Sequence, residues 1–252
     1  MIACWFAALW AGWLAARMVS DVHGSRVLRR HRDLALPPLS HAGACWTILV
    51  LDCSGSMTAE DYPPNRFSAA RQAAIEYVRT RARRSAEDHV AVVGFHGSAG
   101  IAIPWCSLGS ASREVESAIL NLRIGGSTSI GAGLAEAGAL WEGRRPGFIA
   151  RWLGRTPLPT PRVPRSALRR VILLSDGGHN SRSDPRPIAV RMREQGVVIE
   201  CVGIGARDDV DEVLLRELSS TVDGRKRYRF IGDGDARELA EQYRALGGAL
   251  TR

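Results

Sequence analysis

From residue 44 to the end of the chain, short unbroken apolar runs alternate with stretches of 3.6-residue periodicity. Trp46–Asp52 (WTILVLD) is such a run and ends in a carboxylate, the pattern of a parallel strand buried on both faces. Arg66–Arg83 places Phe67, Ala70, Ala74, Ile75 and Val78 on one helical face. His89–Phe95 predicts a second strand, and Ile101–Trp105 a short antiparallel edge strand. Helices are predicted over Ser112–Leu122 and Ile130–Trp141. Arg170–Ser175 (RVILLS) is another apolar strand followed by Asp, and Pro187–Gln195 a helix with Pro in its first turn. The chain then reads as strand Val197–Ile204, helix Val210–Ser219, strand Arg227–Ile231 and helix Asp235–Leu246. Strands alternating with helices predict an α/β fold, with a doubly wound, mostly parallel sheet flanked by helices.

Two segments break this rhythm. Ile2–Ala16 is an uncharged apolar run that would span about 22 Å as a helix, short of the roughly 30 Å hydrocarbon core. Residues 1–19 are read as a membrane anchor or interfacial segment, with a signal peptide or a buried end as alternatives. Arg17, Arg26, Arg29, Arg30 and Arg32 all follow it, which for an anchor puts the remainder in the cytoplasm, at the inner membrane face. A periplasmic location is the alternative. Residues 20–43 form a linker, and residues 44–252 the folded domain. Within the domain, residues 143–167 hold five prolines, six arginines and no acid. This insertion joins a helix to the start of a strand, so it belongs at the pole away from the strands' carboxyl ends. An anionic membrane contact is expected there, with a disordered Arg-rich loop as the alternative.

Composition narrows the class. The 252 residues are 45% hydrophobic and 24% charged, which excludes wholesale disorder, collagen and coiled coil. Five cysteines without CxxC spacing argue against a disulfide framework or structural zinc, and favour a reducing compartment. The net charge of +8 rests almost entirely on arginine, Lys226 being the only lysine. That charge permits a nucleic-acid partner, but no aromatic-basic groove or reading helix accompanies it. No GxSxG, HExxH, GxxxxGK or GxGxxG motif occurs, so a binding module is expected before an enzyme. A metal-dependent hydrolase and a nucleic-acid-associated domain are the alternatives.

Three separated pieces carry candidate chemistry: Asp52-Cys53-Ser54-Gly55-Ser56, Gly125-Gly126-Ser127-Thr128-Ser129, and Asp176-Gly177-Gly178. The first and third lie at carboxyl ends of predicted strands, where open α/β sheets bind ligands. Asp52, Ser54 and Ser56 alternate in an extended segment and can share a side, with Gly55 expected to permit a tight turn. Two carboxylates and three hydroxyls make an all-oxygen donor set suited to Mg²⁺, Mn²⁺ or Ca²⁺. Neutral hydroxyl donors leave the ion electron-poor, so an open position attracts a carboxylate from a partner protein.

DCSGSM, GGSTSIGAGL and LLSDGGHN resemble the metal-ion-dependent adhesion site (MIDAS) of von Willebrand factor type A domains, over about Trp46–Leu246. The resemblance implies Asp52, Ser54, Ser56, Thr128 and Asp176 as metal ligands, with Ser127 the alternative register to Thr128. Met57–Val78 is similar to a segment of bacterial Bat-type aerotolerance proteins. Those are often encoded beside MoxR-type AAA+ ATPases, which implies such an ATPase as a partner in complex assembly. Glu60, His96, His179 and Asn180 follow the strand ends and are the candidate partner contacts. For Glu60 and His96 the alternative is an ordinary solvated loop residue.

Overall fold

The computed structural model describes residues 43–143, 161–178, 183–232 and 235–248. The N-terminal segment, the linker and most of the 143–167 insertion lie outside these residues, as do His179 and Asn180.

Strands β1 (Cys45–Asp52), β2 (His89–Phe95), β3 (Ala99–Ser107), β4 (Leu168–Ser175), β5 (Val197–Ile204) and β8 (Tyr228–Ile231) form one sheet. Its order is β3-β2-β1-β4-β5-β8, with every pairing parallel except β2–β3. The expected antiparallel edge strand is β3, nine residues long rather than Ile101–Trp105, with register shifts against β2 at Val92. The helices are α1 (Arg66–Arg84), α2 (Leu108–Leu120), α3 (Ile130–Trp141), α4 (Arg186–Glu194), α5 (Glu212–Leu218) and α6 (Ala236–Gly248). In α2 the backbone breaks at Ala111 (φ −132°), so its regular turns begin at Ser112, as the periodicity predicts.

Strand alternation divides the core between two faces. Leu49, Leu51, Val90, Val92, Ile172, Leu174, Val202 and Ile204 pack against α1, α2 and α6. Ile48, Val50, Ala91, Val93, Val171, Leu173 and Ile199 pack against α3, α4 and α5. On this second face Trp46 stacks flat on His89 at 3.9 Å and meets Trp105 edge-on at 5.1 Å.

The sequence reading omits one element. β6 (Thr221–Val222) and β7 (Arg225–Lys226) form a tight hairpin across Asp223-Gly224, both with positive φ (50° and 72°). An Asp-Gly pair is the usual occupant of such a turn, and the sequence carries that signal in plain view. Cys45, Cys53 and Cys201 are buried free thiols.

The chain leaves β1 towards β2 on one side, and β4 lies on the other. The two central strands therefore flank the switch point where open α/β sheets form their crevice. Cys45 and Leu168 begin these strands at the opposite pole.

Candidate metal centre

Asp52 ends β1 and is wholly buried. Its Oδ1 accepts the Ser54 N–H at 2.8 Å, folding the chain back on itself, and its Oδ2 accepts the Ser175 hydroxyl at 2.6 Å. Gly55–Thr58 then form a single 3-10 turn. Gly55 does not have the positive φ of a glycine turn; a Cβ there would stand 3.4 Å from the Gly126 carbonyl. Its role is close approach: Gly55 N–H donates to that carbonyl at 2.8 Å, binding the DxSxS loop to the Gly-Gly loop.

Other backbone bonds complete the frame. Cys53 N–H reaches Phe95 O, Gly125 N–H reaches Cys53 O and Ser129 N–H reaches His96 O, each at 2.7 Å. The Ser129 side chain caps α3 by accepting Ala132 N–H. Thr128 is held between these anchors at the head of α3, and it is buried. Gly125 is required for a different reason, because a Cβ there would overlap the His96 ring at 2.3 Å.

The side chains meet across this frame. Ser54 Oγ and Ser56 Oγ are 3.0 Å apart, and Ser56 donates to Asp176 Oδ1 at 2.9 Å. Ser56, Thr128 and Asp176 line an open pocket of about 600 Å³, together with Thr58, Ala59, Arg66, Gly177, Gly178 and Asp209. Asp52 and Ser54 lie beneath it. All five residues named from the sequence therefore converge within one hydrogen-bonded cluster or on the pocket it floors. Glu60 is exposed just beyond Ala59, and His96 packs under Gly125 outside the pocket lining.

Burial makes the two acids expensive to ionise. The Asp52 carboxyl is pushed up to about 6, first by desolvation and then by the Asp176 charge. Asp176 is also raised by desolvation, with bonds from Ser56 and Arg66 working against the rise. Two buried, mutually repelling carboxylates with facing hydroxyls form a donor set that a divalent cation relieves. The residues present fit such an ion.

Sequence reasoning misses three contributors. Ser175 locks Asp52 from the neighbouring strand, and its place before Asp176 is the only signal it gives. Arg66, the first residue of α1 and 5% exposed, donates to Asp176 Oδ2 at 3.2 Å. Asp209, in the loop after β5, accepts from Arg66 at 3.2 Å and forms part of the pocket wall.

The family model for the von Willebrand factor type A domain matches residues 47–179, from β1 through the Asp176 loop. The chain belongs to that family. A relative, the UPF0353 protein of Mycolicibacterium paratuberculosis, is 30% identical over 167 residues, covering 64% of this chain and 44% of its own. The type A chain thus spans less than half the length of that curated relative. Two solved structures share the fold at low identity. Proximal thread matrix protein 1 from the mussel byssus, with a zinc-occupied MIDAS motif, superposes with a TM-score of 0.59 at 23% identity, covering 83% of this chain and 47% of its own. BatB from Bacteroides thetaiotaomicron superposes with a TM-score of 0.57 at 17% identity, covering 82% of this chain and all of its own. The Bat resemblance accordingly extends to the fold. Among the described residues, no helix is long and apolar enough to cross a membrane.

Proposed function

We propose that this type A domain is a non-enzymatic recognition module that holds a divalent cation, Mg²⁺ before Mn²⁺ or Ca²⁺, and grips an acidic residue of a protein partner through it. One observation carries the reading: two buried acids, Asp52 and Asp176, share a cluster with Ser54 and Ser56 under an open pocket that Thr128 also lines. Asp52, Ser54, Ser56, Thr128 and Asp176 would hold the ion, directly or through water. The ion would supply a Lewis-acidic point in the pocket mouth, to which a carboxylate is the natural complement. The protein's part is to fix the donors, through the backbone bonds between loops and the Ser175–Asp52 lock.

The zinc-occupied site of the mussel protein supports a cation at this place in the fold. The resemblance of Met57–Val78 to Bat-type proteins suggests a MoxR-type AAA+ ATPase as the partner class, in complex assembly. β1 and β4 both begin at the pole away from the pocket. A cytoplasmic domain held at the inner membrane face, with anionic lipid at that pole, would leave the pocket free.

Manganese titration followed by electron paramagnetic resonance tests the centre, with Mg²⁺ and Zn²⁺ as competitors. Saturable binding by the wild type, lost in Asp52→Ala and Asp176→Ala, is expected. Co-precipitation with a MoxR-type ATPase then tests recognition. Recovery that is equal with and without EDTA, and equal for Asp52→Ala, would refute metal-bridged capture.

A further inference from the structure

Arg66 occupies a position that ordinary helix physics disfavours. It is a cation in the first turn of α1, at the positive end of the helix dipole, with no acid in that turn. It is nonetheless buried, and three loops supply its counter-charges. Nε and one terminal nitrogen grip Asp61 at 2.7–2.9 Å, the other terminal nitrogen reaches Asp176 Oδ2 at 3.2 Å, and Asp209 closes the set at 3.2 Å. The fold makes room for the guanidinium. Gly205, at the end of β5, has φ +121°, and a Cβ there would stand 2.8 Å from Arg66 Cζ.

The carboxylate of Asp176 is therefore used asymmetrically. Oδ1 faces the serine hydroxyls and Oδ2 faces Arg66. We propose that Arg66 is the resident counter-cation of the pocket, a positioning residue that withholds one oxygen of Asp176 and offsets part of the negative charge a metal would meet. This inference rests on the metal-centre reading. Four carboxylates, Asp52, Asp61, Asp176 and Asp209, gather around the one guanidinium, so Arg66 offsets one of four negative charges. Arg66 also lets the two acids lie together in the folded chain before any ion arrives.

Two experiments separate this role from simple packing. The first is a double-mutant cycle of melting temperatures in EDTA, built on Arg66→Gln and Asp176→Asn. Clear coupling is expected, and additive shifts would overturn the proposal. The second is manganese titration. Arg66→Gln removes a positive charge beside the ion and frees Oδ2, so binding should tighten about tenfold. Asp61→Asn, on the exposed rim, removes the acid that competes for Arg66. Its charge then falls more fully on Asp176, and binding should weaken several-fold more than in Asp208→Asn. Asp208 lies in the Asp209 loop and carries the same charge. Arg66→Lys keeps the charge but cannot span three carboxylates, so its manganese affinity should not rise. Effects of one sign across Arg66→Gln and Asp61→Asn, or no effect, would refute the assignment. If Arg66→Gln does not fold, Asp61→Asn against Asp208→Asn decides alone. A folded wild type that binds no manganese would sink the metal centre while leaving the EDTA cycle to judge Arg66.

Discussion

Replacing Asp52 by Asn should stabilise the metal-free domain while abolishing its response to metal. The amide keeps the side-chain shape. Its oxygen still accepts the Ser54 N–H, and its NH₂ faces the Ser175 hydroxyl, which turns from donor to acceptor. What disappears is a buried charge beside a second carboxylate. A carboxyl moved from 3.8 to about 6 by the fold lowers stability by roughly 3 kcal/mol once it is ionised. A less than ideal amide contact reduces the gain, so about 1–3 kcal/mol is expected, or about 2–12 °C in melting temperature for a domain of this size. The sign with pH follows from a folded value raised above the unfolded one. Below about pH 4 the carboxyl is neutral in both states and the variant has no advantage. The penalty on the wild type grows between about 4 and 6 and is complete above that range. Saturating Mg²⁺ should reverse or close the gap, since a ligand at a hundred times its Kd adds about 3 kcal/mol to the wild type alone. Calorimetry in EDTA at pH 4, 6 and 7.5, repeated with Mg²⁺, reads all of this. A variant no more stable than the wild type at pH 7.5 in EDTA, or an advantage independent of pH, would refute the claim that Asp52 is held against its own solvation.

Gly125→Ala should destabilise the domain by about 1–3 kcal/mol and blunt its metal response, because the new Cβ falls 2.3 Å from the His96 ring and displaces the loop carrying Thr128. Gly125→Ala combined with His96→Ala should recover most of the loss in thermal melts; a double variant as unstable as the single one would contradict this. At the other pole, Arg170 is fully buried against Glu200 and donates to the Leu246 carbonyl of α6 at 2.8 Å. Arg170→Met alone should lower stability in urea titrations by about 3–5 kcal/mol, because the buried Glu200 keeps only the longer Arg227 contact at 3.8 Å. Arg170→Met with Glu200→Leu should restore much of it, whereas simply additive losses would show that the pair is not the source.

How much of this was legible in the sequence follows from where the chemistry lies relative to the backbone. Asp52 and Asp176 announce themselves because each ends an apolar run, and apolar runs of that length become the central strands of a parallel sheet. Parallel pairing then places both ends at one pole, and the family resemblance adds Ser54, Ser56 and Thr128 to the two acids. The Gly-Gly turn ahead of a helix brings a hydroxyl to the helix mouth, but the choice of Thr128 over Ser127 comes from the family resemblance, and the pocket lining places Thr128 there. Arg66 and Arg170 are illegible because what defines them is a partner remote in the chain. Arg66 lies 110 residues from Asp176, and within its own helix it reads as one more arginine of an arginine-rich chain. Arg170 reads as the polar start of an apolar strand, until Glu200 on β5 is found beside it. A signal for Arg66 does exist: a cation heading a helix with no acid in the first turn violates the dipole preference, and such a violation survives only if something outside the helix compensates. That local inconsistency says that Arg66 is compensated from outside its helix, without naming the partner. The motif marks where negative charge is gathered, and the misplaced arginine marks what balances it in the folded chain.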